Sequence, residues 1–96
     1  MANMYTNILY CRTEHENDLK KVEEFLEENF DAYQELNEEN LEAEFESRWD
    51  YPETLMNKLW DSLEHKESIY IRILSHCLED EYACLRVFKN GKWEIK

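Results

Sequence analysis

Apolar and polar positions along this 96-residue chain change period several times, and each change marks an element. Residues 3–12, NMYTNILYCR, are rich in β-branched and aromatic side chains and predict a first strand with neither face clearly the apolar one. The period then becomes helical. Leu19, Val22, Phe25, Leu26 and Phe30 recur at helical spacing, and Thr13 with Glu16 fits a capping box, so a helix is expected over about 14–30. The next stretch, DAYQELNEEN, extends that helix or forms a second short one through Tyr33 and Leu36, with Asn37 and Asn40 as stopping points.

In LEAEFESRW the period changes to two. Leu41, Ala43, Phe45, Ser47 and Trp49 alternate with Glu42, Glu44, Glu46 and Arg48, as in a half-buried strand. Asp50 with Glu53 makes another cap, Pro52 suits a first helical turn, and Leu55, Met56, Leu59, Trp60 and Leu63 form an apolar stripe, predicting a helix over about 52–65. His65 and Lys66 fall in its last turn, where the helix dipole favours a cation, so His65 reads as structural.

SIYIRILSHCL and YACLRVFK are two alternating strands, and Asn90-Gly91 makes a tight turn into KWEIK. A continuous core requires Ile69, Ile71 and Ile73 to share a side with Ala83, Leu85 and Val87, which demands an odd-numbered loop near Glu79 to Glu81. The other face then carries Tyr70, Arg72, Leu74 and His76, followed by Tyr82, Cys84, Arg86 and Phe88, with Trp93 opposite Phe88. Cys77 and Cys84 are expected on opposite faces. The order of elements predicts an α+β sandwich: two helices on one face of a mostly antiparallel sheet of four to five strands. The opposite face mixes aromatics and arginine, a composition that marks an interface.

Composition sharpens this picture. A chain of this length makes a single domain over 1–96 that buries about 60–65% of its unfolded surface, and three Trp, six Tyr and four Phe offset its small size. No apolar run approaches the roughly 20 residues of a membrane span, and the first residues lack the basic start and long apolar stretch of a signal peptide, so a cytoplasmic protein is expected. Three cysteines without CxxC spacing argue against a disulfide framework. The formal charge of -12 is localised. Residues 14–46 hold 14 acids against Lys20 and Lys21, whereas the rest of the chain, including the strand-helix-meander portion 47–96, is balanced and contains every Arg. Such a segment favours solubility and basic partners and disfavours nucleic acid and anionic membrane.

The segment FESRWDYPETLMNKLW, followed by an aliphatic strand and an aromatic hairpin ending in NGKWE, resembles the YubB ferredoxin-like domain family of bacterial, plasmid- and phage-associated proteins. The resemblance spans roughly the C-terminal half. It implies a ferredoxin-like sandwich and a mobile-element origin, and it carries over no catalytic residue.

Candidate chemistry is sparse. His15, His65 and His76 are scattered, and HExxH, GxSxG and phosphate-loop motifs are absent. His76 faces Cys84 if the intervening loop has three residues, but a structural zinc takes four ligands. No catalytic residue, metal or cofactor is assigned, and the chain is expected not to be an enzyme. The expected role is protein interaction: self-association as a dimer through Tyr70, Arg72, Tyr82, Arg86, Phe88 and Trp93. Two alternatives use other features. Carboxylates of the acidic segment mimic a nucleic-acid backbone and inhibit a nucleic-acid-binding protein, or the aromatic face stacks single-stranded bases. If the strand at 41–49 lies beside the arginine-bearing strands, its glutamates are neutralised across the sheet, by about 0.2–1 kcal/mol per pair. Glu23, Glu24, Glu27 and Glu28 of the first helix are then the candidate face for a basic partner.

Overall fold

The computed structural model describes residues 4–48 and 52–96. Its elements are β1 (Met4–Arg12), α1 (Glu16–Phe30), β2 (Tyr33–Leu36), β3 (Asn40–Arg48), α2 (Glu53–Ser62), a 3-10 turn (Lys66–Ser68), β4 (Tyr70–Cys77), β5 (Tyr82–Lys89) and β6 (Lys92–Ile95). The strands form one sheet in the order β2-β3-β1-β4-β5-β6, and every neighbouring pair is antiparallel. Both helices lie on the same face. Phe30 of α1 packs on Phe45 of β3 with ring centroids 4.6 Å apart, and Trp60 of α2 packs on Phe88 and Trp93 of the β5–β6 hairpin at 6.3 and 5.2 Å. The expected α+β sandwich is therefore present, with six strands in place of four to five.

The additional strand is β2, where the sequence suggested more helix. Asp31 adopts a left-handed conformation (φ 51°) that stops α1, and the chain returns along β3 as a hairpin. Asn37 closes that hairpin: its N–H donates to the Asn40 carbonyl at 2.8 Å and its side-chain amide to Asn40 Oδ1 at 2.9 Å. Gln34 Nε2 donates to the Glu23 carbonyl, tying the edge strand back to α1. Thr13 does not occupy the cap position of α1, which belongs to His15; its Oγ1 instead accepts the His15 N–H at 3.2 Å. Trp49 and the Asp50 half of the second cap lie outside the described residues.

The alternation of β1, β3 and β4 sends Leu9, Cys11, Leu41, Phe45, Ile71 and Ile73 into the core with Leu19, Val22 and Leu26 of α1 and Met56 and Leu59 of α2. In β1 the inner face also carries Asn7, which donates to Ser47 Oγ at 2.9 Å and accepts from Ser75 Oγ at 2.6 Å, so its buried polar atoms are partnered across three strands.

In β5 the expected parity is reversed. Four residues, Leu78 to Glu81, separate β4 from β5, with Glu81 N–H on the Leu78 carbonyl and Glu81 itself left-handed (φ 52°). The even loop pairs Ile73 with Arg86 and Ile71 with Phe88. Tyr82, Cys84, Arg86 and Phe88 consequently point to the helices, and Ala83, Leu85 and Val87 to the open face. The physical reason is area: turning Phe88 inward also brings in Trp93 across the Asn90-Gly91 turn, and two aromatic rings on Trp60 bury more than three small aliphatic side chains. Cys77 and Cys84 thus share a face, contrary to expectation, and all three cysteines are free thiols.

Candidate functional site

Side chains of the open face fall into cross-strand rows. One row runs Glu35, Glu42, Tyr10, Arg72, Val87, Glu94, and the next runs Tyr33, Glu44, Ile8, Leu74, Leu85. Because antiparallel partners on one face stand about 4.5–5.5 Å apart, each row is a line of touching groups. The second row is apolar for most of its length. Tyr33 is 70% exposed, Ile8 43% and Leu74 38%, values that a buried sheet face would not show. Around them lies a shallow concavity of about 620 Å³, lined by Ile8, Tyr10, Tyr33, Glu44, Arg72 and Leu74 among others.

Charge on this face is divided. On β2 and β3 stand Glu35, Glu42, Glu44 and Glu46, with Arg48 at the far end of β3. Across β1, β4, β5 and β6 stand Arg12, Arg72, Lys89 and Lys92, while Glu94 takes Lys96 at 2.8 Å. Strand order keeps the halves apart. β3 pairs with β1 and β2 and not with the arginine-bearing β4 and β5, so the expected neutralisation of its glutamates across the sheet does not occur. Among the described residues no salt bridge reaches Glu42, Glu44 or Glu46, and Glu35 stands directly opposite Glu42, an unfavourable like-charge pair. The arginines lie over rings instead: Arg72 is 4.5 Å from the Tyr10 centroid and Arg12 5.4 Å from that of Tyr70.

Of the residues expected to form one interface, Tyr70 and Arg72 are on the open face, whereas Tyr82, Arg86, Phe88 and Trp93 are on the helix side, with Phe88 and Trp93 in or against the core. They do not form one surface. Of the residues that do, Ile8, Tyr33, Leu74 and Leu85, the sequence placed only Leu74 on the open face, because the facing of the first strand was open, Tyr33 stood in a presumed helix and Leu85 on a presumed inner face. Glu24, Glu27 and Glu28 are exposed on α1, and Glu23 is half-buried there. As α1 covers the other side of the sheet, the two acidic sets occupy opposite faces of the sandwich.

His76 is paired with Ala83 and Cys84 with Ser75, so the two point to opposite faces. Among the described residues no group of three His, Cys, Asp or Glu side chains is placed to hold a metal ion. Cys11 is fully buried, and burial, aided by the negative charge of Asp18, pushes its thiol up to about 12, which makes it a poor nucleophile. A second polar cluster joins the helices. The fully buried Asp18 carboxylate of α1 accepts the Glu64 N–H at 3.1 Å and the His65 N–H at 2.9 Å, with His65 Nδ1 at 3.3 Å. His15 stacks flat on His65 at 3.7 Å. This cluster fastens the chain after α2 to α1; α2 ends at Ser62, so His65 and Lys66 lie beyond its last turn and not within it as expected, and His65 is held by Asp18.

No family model, no curated protein and no solved structure matches the chain.

Proposed function

We propose that this protein is a non-enzymatic protein-interaction module whose docking surface is the open sheet face. The observation that carries the reading is the apolar row of exposed Tyr33, Ile8 and Leu74 with half-buried Leu85, set between carboxylates and guanidinium groups on a face that neither α1 nor α2 covers. An apolar centre with a charged rim is the anatomy of a protein interface. A cytoplasmic setting belongs to the same proposal and is supported by three free thiols. Among the described residues no helix is long and apolar enough to cross a membrane. A mobile-element origin is proposed on the YubB-like ferredoxin-domain resemblance alone.

A photo-crosslinking side chain placed at Leu74 should yield a protein adduct in cells, and the same probe at Glu24 on α1 should not. Absence of any adduct at Leu74 overturns the reading. The acidic-mimic alternative uses the exposed Glu24, Glu27 and Glu28, for which no ion pair is formed among the described residues. It predicts the opposite pattern: a basic protein crosslinked at Glu24 and displaced by DNA.

A further inference from the structure

We propose that the open sheet face binds a second copy of this chain, face to face, about a two-fold axis that runs along the strands between β1 and β4. The inference rests on the interaction reading above and identifies its partner. Three features select this occupant. The first is the division of charge. A two-fold axis along the strands turns the acidic β2–β3 half of one copy over the basic β4–β6 half of the other. An axis across the strands would stack glutamates on glutamates. With the permitted axis β3 of one copy lies over β5 of the other, so Glu42 and Glu44 come over Val87 and Leu85, between the strands that carry Arg72 and Lys92.

The second feature is the position of the apolar row. The sheet has three strands on each side of the line between β1 and β4, and Ile8 and Leu74 face each other across it. Rotation about that line places Ile8 of each copy on Leu74 of the other, so the exposed aliphatic groups meet at the centre, where water is excluded. Two sheets stacked in this way keep their strands within about 30° of each other, the packing of a β-sandwich. The third is area. Four strands of eight or nine residues and two of four, about 4.8 Å apart, present roughly 650 Å² per copy. The pair then buries about 1,300 Å², inside the range of roughly 1,200–2,000 Å² typical of stable complexes.

Sedimentation of the full chain over a concentration series, with two charge-reversed variants, tests the proposal. One variant is Glu42→Lys with Glu44→Lys, and the other is Arg72→Glu with Lys92→Glu; all four residues are exposed, and circular dichroism checks that each variant folds. The wild type should sediment as a dimer. Each variant alone should dimerise at least about tenfold more weakly, because like charges then face each other. An equimolar mixture of the two should recover the dimer, since every reversed group then meets a reversed partner. A wild type that stays monomeric overturns the dimer, as does a dimer that both variants leave intact. The interaction reading fails separately: a Leu74 adduct with a different protein overturns only the second copy as occupant, and no adduct overturns both.

Discussion

Asp18 shows what one residue decides in so small a protein. It stands one helical turn before Val22 on the buried side of α1, and an acid on an apolar stripe is the signal by which the sequence announces it. Its purpose becomes visible only when α2 ends beside it and two backbone N–H groups need an acceptor. Asp18→Ala removes the buried acceptor and leaves both part-buried donors without it, which should cost about 2–4 kcal/mol, whereas Asp18→Asn keeps one acceptor oxygen and should cost about half as much, as read by urea unfolding. Cys11 carries a second prediction with a definite sign. Its thiol is pushed up to about 12 in the folded chain, so it should resist alkylation at pH 8 until denaturant is added. Between the ordinary thiol value of 9.0 and about 12 the unfolded chain ionises there and the folded one does not. The Cys11 contribution to stability is therefore full below pH 9.0 and falls as pH rises through that window, a slope that Cys11→Ala should remove.

Elements with one apolar face were legible, and elements with two were not. LEAEFESR alternates cleanly, and β3 spans Asn40–Arg48 with Leu41, Ala43 and Phe45 inward as read. Leu19, Val22 and Leu26 likewise mark the buried side of α1. YACLRVFK has large side chains at both parities, so its pattern permits either face, and the choice fell to a four-residue turn and to the Trp60–Phe88–Trp93 cluster. Paired substitutions check the register. Phe88→Ala should cost about 3–5 kcal/mol by opening a core cavity, while Ala83→Glu on the open face should stay within about 0.5 kcal/mol of the wild type. The opposite ranking would restore the parity expected from hydrophobicity alone. Residues 33–36 were illegible for another reason: YQEL is too short for either period to show, and its strand exists only because β3 offers it an edge.

At the scale of the molecule, the flip of β5 dismantles the aromatic platform that single-stranded nucleic acid would need. Phe88 and Trp93 stack on Trp60 on the helix side, leaving Tyr10, Tyr33 and Tyr70 as the described open-face rings, beside a row of glutamates. With a formal charge of -12, the chain should give no gel shift with labelled single-stranded DNA or RNA even at low salt, where phosphate contacts are strongest. A shift that is lost in Arg72→Glu would reverse that expectation. The sequence by itself determined the α+β class, the two helices, the inward sides of β3 and β4 and the confinement of net charge to residues 14–46. Those follow from local period and composition, which need no partner to be read. Strand order, the facing of β5 and the existence of β2 were decided by tertiary structure, because each depends on which distant surface buries the greater area or supplies the missing hydrogen bonds. The candidate site inherits that dependence. Its apolar row draws one side chain from each of β2, β1, β4 and β5, and only the order of strands makes them neighbours.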